Sequence, residues 1–258
     1  MSRKVEKREV GLFITFLIVL VIIIELVSRN FIPSYFFPPP SAIGAEIFRD
    51  YSFFFYHTFI LIKEVTIGFS VGLTVALSLA LIFTYSELLQ RTFQPLATIG
   101  YLTPKTALVP LFIIWFGTGI LSKVMLILLI TFFPILINTM TGLVDIDPEE
   151  LNYFRSLKAS RFEILRYLRL PNSIPYMFSG IRIGIIMAFL GGVIAEFIGG
   201  SRGIGWVLLY HMTTGETAKM FASLLYIMIF GLVYFKGIEA IQRIIAPWWE
   251  PTEEAVQA

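Results

Sequence analysis

Apolar runs long enough to cross a membrane alternate with short polar intervals along nearly the whole chain. The first run covers residues 10–28, close to the roughly 20 residues that a bilayer core requires. Residues 53–85, 95–116, 123–143, 174–198 and 218–244 form further runs of the same kind. This pattern predicts an all-α membrane protein with six transmembrane helices in a single domain, 1–258. The longest polar interval, residues 145–171 between the fourth and fifth runs, predicts a pair of short helices outside the membrane.

The runs differ in what interrupts them. The first is preceded by Arg3, Lys4, Lys7 and Arg8 and followed by Glu25 and Ser28, without a small-x-small cleavage pattern, so an uncleaved first helix is expected. Pro33 and the run Pro38-Pro39-Pro40 mark residues 30–41 as an external loop. In the second run Gly68, Gly72, Ala76 and Ala80 recur every fourth residue, a small-residue face that lets another helix approach. Lys63 and Glu64 precede it and read as interface residues, and Arg91 marks a short inner loop. The third run contains Pro104 and Pro110 around Lys105. Prolines free backbone carbonyls that need new partners, so this is either a broken helix beside a path or a kink with Lys105 reaching the headgroups. Gly117-Thr118-Gly119 and the glycine-rich stretch from Gly199 to Gly205 read as tight outer turns.

Composition strengthens this picture, because 57% hydrophobic and 15% charged residues with a mean hydropathy of +0.80 lie outside the soluble range. Twelve of the twenty lysines and arginines fall on one set of loops, which places both termini and the central stretch in the cytoplasm. The same clustering accounts for the net charge of +2, and no nucleic-acid partner is expected. There is no cysteine, and His57 and His211 are isolated, so neither a disulfide nor a histidine metal site is expected. No phosphate-binding glycine loop and no nucleophile elbow is present. Neither a catalytic residue nor a cofactor is therefore assigned, and the chain reads as something other than an enzyme. Charges inside the apolar runs cost about 2.5–3.5 kcal/mol each, so Lys105, Arg182 and Glu196 are candidates to line a path or anchor an interface. Arg182 and Glu196 lie roughly 21 Å apart along a helix at 1.5 Å per residue, too far to pair.

The central stretch carries helix signals of its own. Asp147, Pro148 and Glu150 form a start with a capping-box pattern, and Ser160 with Glu163 repeats it. A break near Ala159 is expected, with a second helix from Arg161 that Pro171 stops. Leu151, Phe154, Phe162, Leu165 and Leu168 recur at helical spacing, backed by Arg155, Lys158, Arg161, Arg166 and Arg169. Such a unit fits either a docking surface for another protein or a helix pair lying on anionic lipid headgroups.

The order of features resembles the permease subunit of ATP-binding-cassette importers, in the branch that serves sulfonates, taurine, nitrate and thiamine precursors. The matching pieces include Pro38-Pro39-Pro40-Ser41, Pro104 with Pro110-Leu111-Phe112, Trp115-Phe116-Gly117, Phe132-Phe133-Pro134, Asp147-Pro148 and Leu170-Pro171. Gly180-Ile181-Arg182, Ala195-Glu196, Gly203-Ile204-Gly205 and Trp248 complete the series. In that family the central cytoplasmic loop carries a Glu-Ala-Ala motif followed by a glycine, and its coupling helices sit in a groove of the ATPase. Aligned from Leu170-Pro171, the glutamate falls on Asn152, the alanines on Tyr153 and Phe154, and the glycine on Lys158, so all of these positions depart from the motif.

The resemblance implies a transmembrane subunit of an ATP-driven importer, forming a path for a small solute brought by an external binding protein. It implies a separate ATPase chain docked on Asn152, Phe154, Lys158, Arg161, Phe162 and Arg166, a homodimeric permease, and lipid around the spans. A helix closing just before Ser160 would place a left-handed residue near Lys158. An ion-coupled carrier acting alone, and a non-transporting assembly partner, are the rival readings. No inverted repeat is detectable between the halves, and the docking-like central stretch also counts against the carrier.

Overall fold

The computed structural model describes residues 2–246 and is helical through almost all of them. Helices α1 (Ser2–Phe31), α2 (Pro40–Arg49), α3 (Tyr51–Tyr85) and α4 (Glu87–Leu102) lead into a 3-10 turn at Lys105–Leu108 and α5 (Val109–Phe116). Then come α6 (Ile120–Val144), α7 (Pro148–Ser156), α8 (Arg161–Ile164), a π-helical turn at Leu165–Arg169 and α9 (Leu170–Gly199). The last two are α10 (Ile204–Thr214) and α11 (Thr217–Ile245). Among the described residues five helices are long and apolar enough to cross a membrane, six if the bent pair α4 and α5 counts as one. Met1 and Trp248 lie outside the described residues.

The core is the packing of α6 against both α9 and α3, which also touch each other. The small-residue face of α3 explains the second contact. A Cβ on Gly68 would stand 2.7 Å from the Ile127 side chain, so only glycine admits α6 at this depth. On α9, Gly180 lies where a Cβ would meet the Pro134 carbonyl oxygen of α6 at 2.9 Å. That oxygen also accepts from Asn138 Nδ2 at 2.8 Å. Half of the most apolar stretch of α6 and of the α8–α9 helix is buried, against 6% for α1 and 11% for α11, which leave most of their apolar surface outward.

Several local expectations are revised. The Asn30–Ser41 loop is shorter, because α1 runs to Phe31 and α2 begins at Pro40. Glu25 closes it, accepting from Ser41 N at 2.9 Å and Ser41 Oγ at 2.7 Å while pairing with Arg29 at 2.6 Å. Arg91 lies inside α4, since Ser86 alone separates α3 from α4. The third run is broken by 79° between Leu102 and Lys105. Lys105 does not extend away from the chain there. It is 9% exposed, and its Nζ donates to Tyr101 O at 2.8 Å and Thr103 O at 3.3 Å, satisfying carbonyls at the end of α4.

Pro171 does not stop a helix. The α8 helix, the π turn and α9 form one continuous helix over Arg161–Gly199. A proline removes one N–H and crowds the carbonyl four residues earlier. The widened π turn ends two residues before Pro171 and accommodates that crowding. The Gly199–Gly205 stretch is a turn, but it opens into α10, an element the apolar pattern alone does not reveal. Eleven residues are too few to cross a bilayer, and α10 ends at left-handed Gly215, φ 77°.

Candidate functional site

The unit between α6 and α9 is built from its caps. Asp147 accepts from Glu149 N at 2.8 Å and Pro148 occupies the first turn of α7, whereas the expected capping box with Glu150 does not form. At the other end Ala159 N donates to Phe154 O at 3.1 Å and Lys158 N to Arg155 O at 2.9 Å. These two bonds define a Schellman turn, and Lys158 takes its left-handed position with φ 55°. Lys158 is the one non-glycine residue with positive φ among the described residues. The next helix starts at once. Ser160 Oγ accepts from Glu163 N at 3.3 Å, and Glu163 Oε2 accepts from Ser160 N at 2.7 Å. Two rigid helical segments thus meet at a fixed corner. The second is continuous with α9, while Arg169 Nη1 and Asn172 Nδ2 donate to Leu143 O and Gly142 O at 3.0 and 2.9 Å and tie it to the end of α6.

Asn152, Phe154, Lys158, Arg161, Phe162 and Arg166 all fall on this one unit. Phe162 is 61% exposed, with Tyr153 and Leu157 comparably bare on α7. Phe154 is half-buried, and Arg166 stacks on Tyr167 with its guanidinium carbon 5.6 Å from the ring centre. Behind the unit lies a cavity of about 880 Å³ that reaches to the facing ends of α3, α4 and α6.

The other candidate residues lie apart from it. Glu196 is fully enclosed at the far end of α9, where its Oε2 accepts from Gly205 N at 2.6 Å. Lys123 Nζ donates to Glu64 Oε1 at 2.8 Å and to Arg202 O at 3.3 Å, and His57 Nδ1 accepts from Gly203 N at 3.0 Å. Glu64 therefore belongs to a buried polar cluster, 2% exposed, and not to an interface. A side chain on Gly203, at φ 109°, would occupy the space of the Glu196 carboxylate. Arg182 sits half-buried midway along the bundle, within electrostatic reach of Glu239 on α11.

Sequence reading missed a polar line on α4. Gln90, Gln94 and Thr98 recur every fourth residue on one face of a helix whose Leu96, Ile99 and Leu102 are 55–75% exposed. With Thr141 and Asp145 they line a second cavity of about 350 Å³. The four-residue spacing was visible in the sequence, but the apolar residues around it dominate a hydropathy reading.

The sequence profile of the family described as "Binding-protein-dependent transport system inner membrane component" matches residues 68–250. The chain belongs to this family. It is 29% identical over 234 residues to the formylaminopyrimidine transport permease protein ThiX of Halalkalibacterium halodurans, covering 90% of this chain and 94% of that protein. It is 28% identical over 248 residues to the riboflavin transport system permease protein RibX of Chloroflexus aurantiacus, covering 95% and 92%. It is 30% identical over 191 residues to the taurine transport system permease protein TauC of Escherichia coli, covering 73% and 66%. The chain is accordingly a multi-pass, all-α membrane subunit of an ATP-driven importer for a small solute. It works with an ATPase and a solute-binding protein, and its own role is transport and not catalysis.

Proposed function

We propose that the α7–α8 corner is the surface that docks the ATPase. The observation that carries this reading is the continuity of α8 with α9, which joins a rigid exposed corner directly to a membrane-spanning helix. Movement of a bound ATPase would therefore reach the span without crossing a flexible loop. Phe162 supplies an exposed aromatic anchor and Asn152, Phe154, Lys158, Arg161 and Arg166 surround it, the mixture of apolar core and polar rim that stable interfaces use. The corner keeps its shape although the Glu-Ala-Ala and glycine positions are rewritten, because the Schellman turn forms on Lys158.

In this reading two copies of the chain face each other across a path, with both termini and the α7–α8 corner in the cytoplasm and lipid around the outward faces of α1 and α11. The spans are those of the hydropathy pattern, 10–28, 53–85, 95–116, 123–143, 174–198 and 218–244, with the coupling segment at 145–171. The polar line of α4 supports a second copy, since lipid gives glutamine side chains no partner and a water-filled path does. Lys105 stands at the bend of the same broken span and borders that path. Arg182 and Glu196 serve it indirectly, by holding α9 against α11 and against the turn before α10. ThiX, RibX and TauC are named for unlike solutes, so the chain passes a small solute chosen largely by its external binding protein.

The test is copurification. Phe162→Ser combined with Arg161→Glu should release the ATPase subunit and abolish solute-dependent ATP hydrolysis while the helix content of the permease stays unchanged. Full retention of the ATPase by that variant would remove the α7–α8 corner as its seat.

A further inference from the structure

Four helices converge on an enclosed polar cluster at the α9–α10 end of the bundle. Glu64 of α3, Lys123 of α6 and Glu196 of α9 are 2%, 4% and 0% exposed. Lys123 Nζ donates to Glu64 Oε1 at 2.8 Å, and Gly205 N, in the first turn of α10, donates to Glu196 Oε2 at 2.6 Å. The second oxygens, Glu64 Oε2 and Glu196 Oε1, are also buried and find no donor among the described residues. The two carboxyl groups are nevertheless within hydrogen-bond reach of each other. Glu64 Oε2 and Glu196 Oε1 are the oxygens left for that contact.

Two carboxylates cannot hydrogen-bond to each other, because each only accepts, and enclosed side by side they repel. Lys123 is the cation that acts on both, and it sets one positive charge against two acids. His57 adds no charge, since its Nδ1 accepts from Gly203 N at 3.0 Å and so carries no proton. Lys63 and Arg202 are exposed, and Arg202 meets the cluster through its carbonyl oxygen, which accepts from Lys123 Nζ at 3.3 Å. A single added proton corrects both the charge and the bonding. We propose that Glu64 and Glu196 form a proton-binding pair, with one proton bridging Glu64 Oε2 and Glu196 Oε1. Glu64, held by Lys123, is the ionised partner, and Glu196 donates to it. The series Lys123, Glu64, Glu196 and the Gly205 N–H is then neutral, and both orphaned oxygens are matched. It fastens α3, α6, α9 and the start of α10 through one exchangeable proton, so parting α9 from α3 breaks that bridge. The pair does not rest on ATPase docking at the α7–α8 corner, nor on which end of the bundle faces the cytoplasm.

Infrared spectra of the purified full-length chain in detergent test this, because a protonated carboxyl group absorbs apart from carboxylates. The parent spectrum minus that of Glu196→Gln should show one protonated-carboxyl band. The parent minus Glu64→Gln should show the same band, since the acid that remains in either variant pairs with Lys123 and ionises. Glutamine keeps an N–H for the bridge, so each single variant should hold its thermal midpoint within about 3 °C of the parent. Glu64→Gln combined with Glu196→Gln leaves Lys123 enclosed without an anion and should lower the midpoint by roughly 10 °C. Lys63→Gln, exposed on α3, should change neither reading. Absence of the band from both difference spectra would overturn the proposal. A band that persists in Glu64→Gln would assign the proton to Glu196 alone and overturn the pair. A midpoint loss in Glu64→Gln as large as that of the double variant would overturn the sharing of one charge between the two acids. Failure of the Phe162 copurification test alongside these results would reject the docking surface and leave the proton site standing.

Discussion

The two ends of the helical bundle treat charge in opposite ways. Where α9 turns into α10, Glu64, Lys123 and Glu196 are 0–4% exposed and gripped by one another and by the backbone of Arg202 and Gly205. At the α7–α8 end the arginines are mostly exposed, and Arg155 and Arg161 have no carboxylate within ion-pair distance among the described residues. Buried charges are tolerated only when paired and hydrogen-bonded, so the first group holds the fold together. Exposed charges of one sign contribute little to the fold and are available to partners. The difference separates ionic residues enclosed in the fold from those left exposed, which their distribution in the sequence does not.

The sharpest way to break this comparison is to remove one charge at each end. Lys123→Met leaves two enclosed carboxylates without their cation and should cost about 3–5 kcal/mol, while Arg161→Ala should stay within about 0.5 kcal/mol. Thermal unfolding in detergent measures both. Similar losses at the two positions would show that the α7–α8 arginines are as structural as Lys123.

A smaller effect is expected where backbone and charge meet. Gly203→Ala puts a side chain at φ 109° into the Glu196 carboxylate, and should cost about 1–3 kcal/mol through strain at the turn and displacement of the Gly205 N–H bond. Faster amide exchange confined to the 199–205 turn and the start of α10 would locate the damage. An unchanged exchange pattern would mean that the turn accommodates the methyl group elsewhere.

The smallest effect belongs to the α7–α8 end. Lys158→Gly relieves a left-handed residue with a Cβ, worth roughly 1 kcal/mol, but removes a cation beside a helix carboxyl end, worth about 0.3–1 kcal/mol. Stability should therefore change by less than about 1 kcal/mol. Lys158→Val, β-branched at φ 55°, should loosen the corner and lower solute-stimulated ATP hydrolysis more than it lowers ATPase copurification. Equal ATPase stimulation in Lys158→Val and the parent protein would show that the corner does not transmit motion.

The α7–α8 unit was the most legible part of the chain because its signals are local. Asp147-Pro148 and Ser160 with Glu163 act within three residues, and the left-handed position of Lys158 follows from the helix that must end before Ser160. Pro171 misled for the same reason: a local rule cannot see the π turn that lets the helix continue. The pair Glu64 and Lys123 joins residues 59 apart, so the local reading of Glu64 as an interface residue could not see its partner. Glu196 was noticed as an intramembrane charge, but its partners come from the turn that follows and from α3.

Sequence by itself determined that the apolar runs are helical, that Asp147 and Ser160 start α7 and α8, and the small-residue face of α3, since each depends on spacing along one chain. Tertiary structure decided which charges are enclosed, and that four arginines from α4, α7, α8 and the π turn line one cavity. Those outcomes depend on distances between helices far apart in sequence. Close packing of α3, α6 and α9 on one another sets those distances, and no local pattern specifies them.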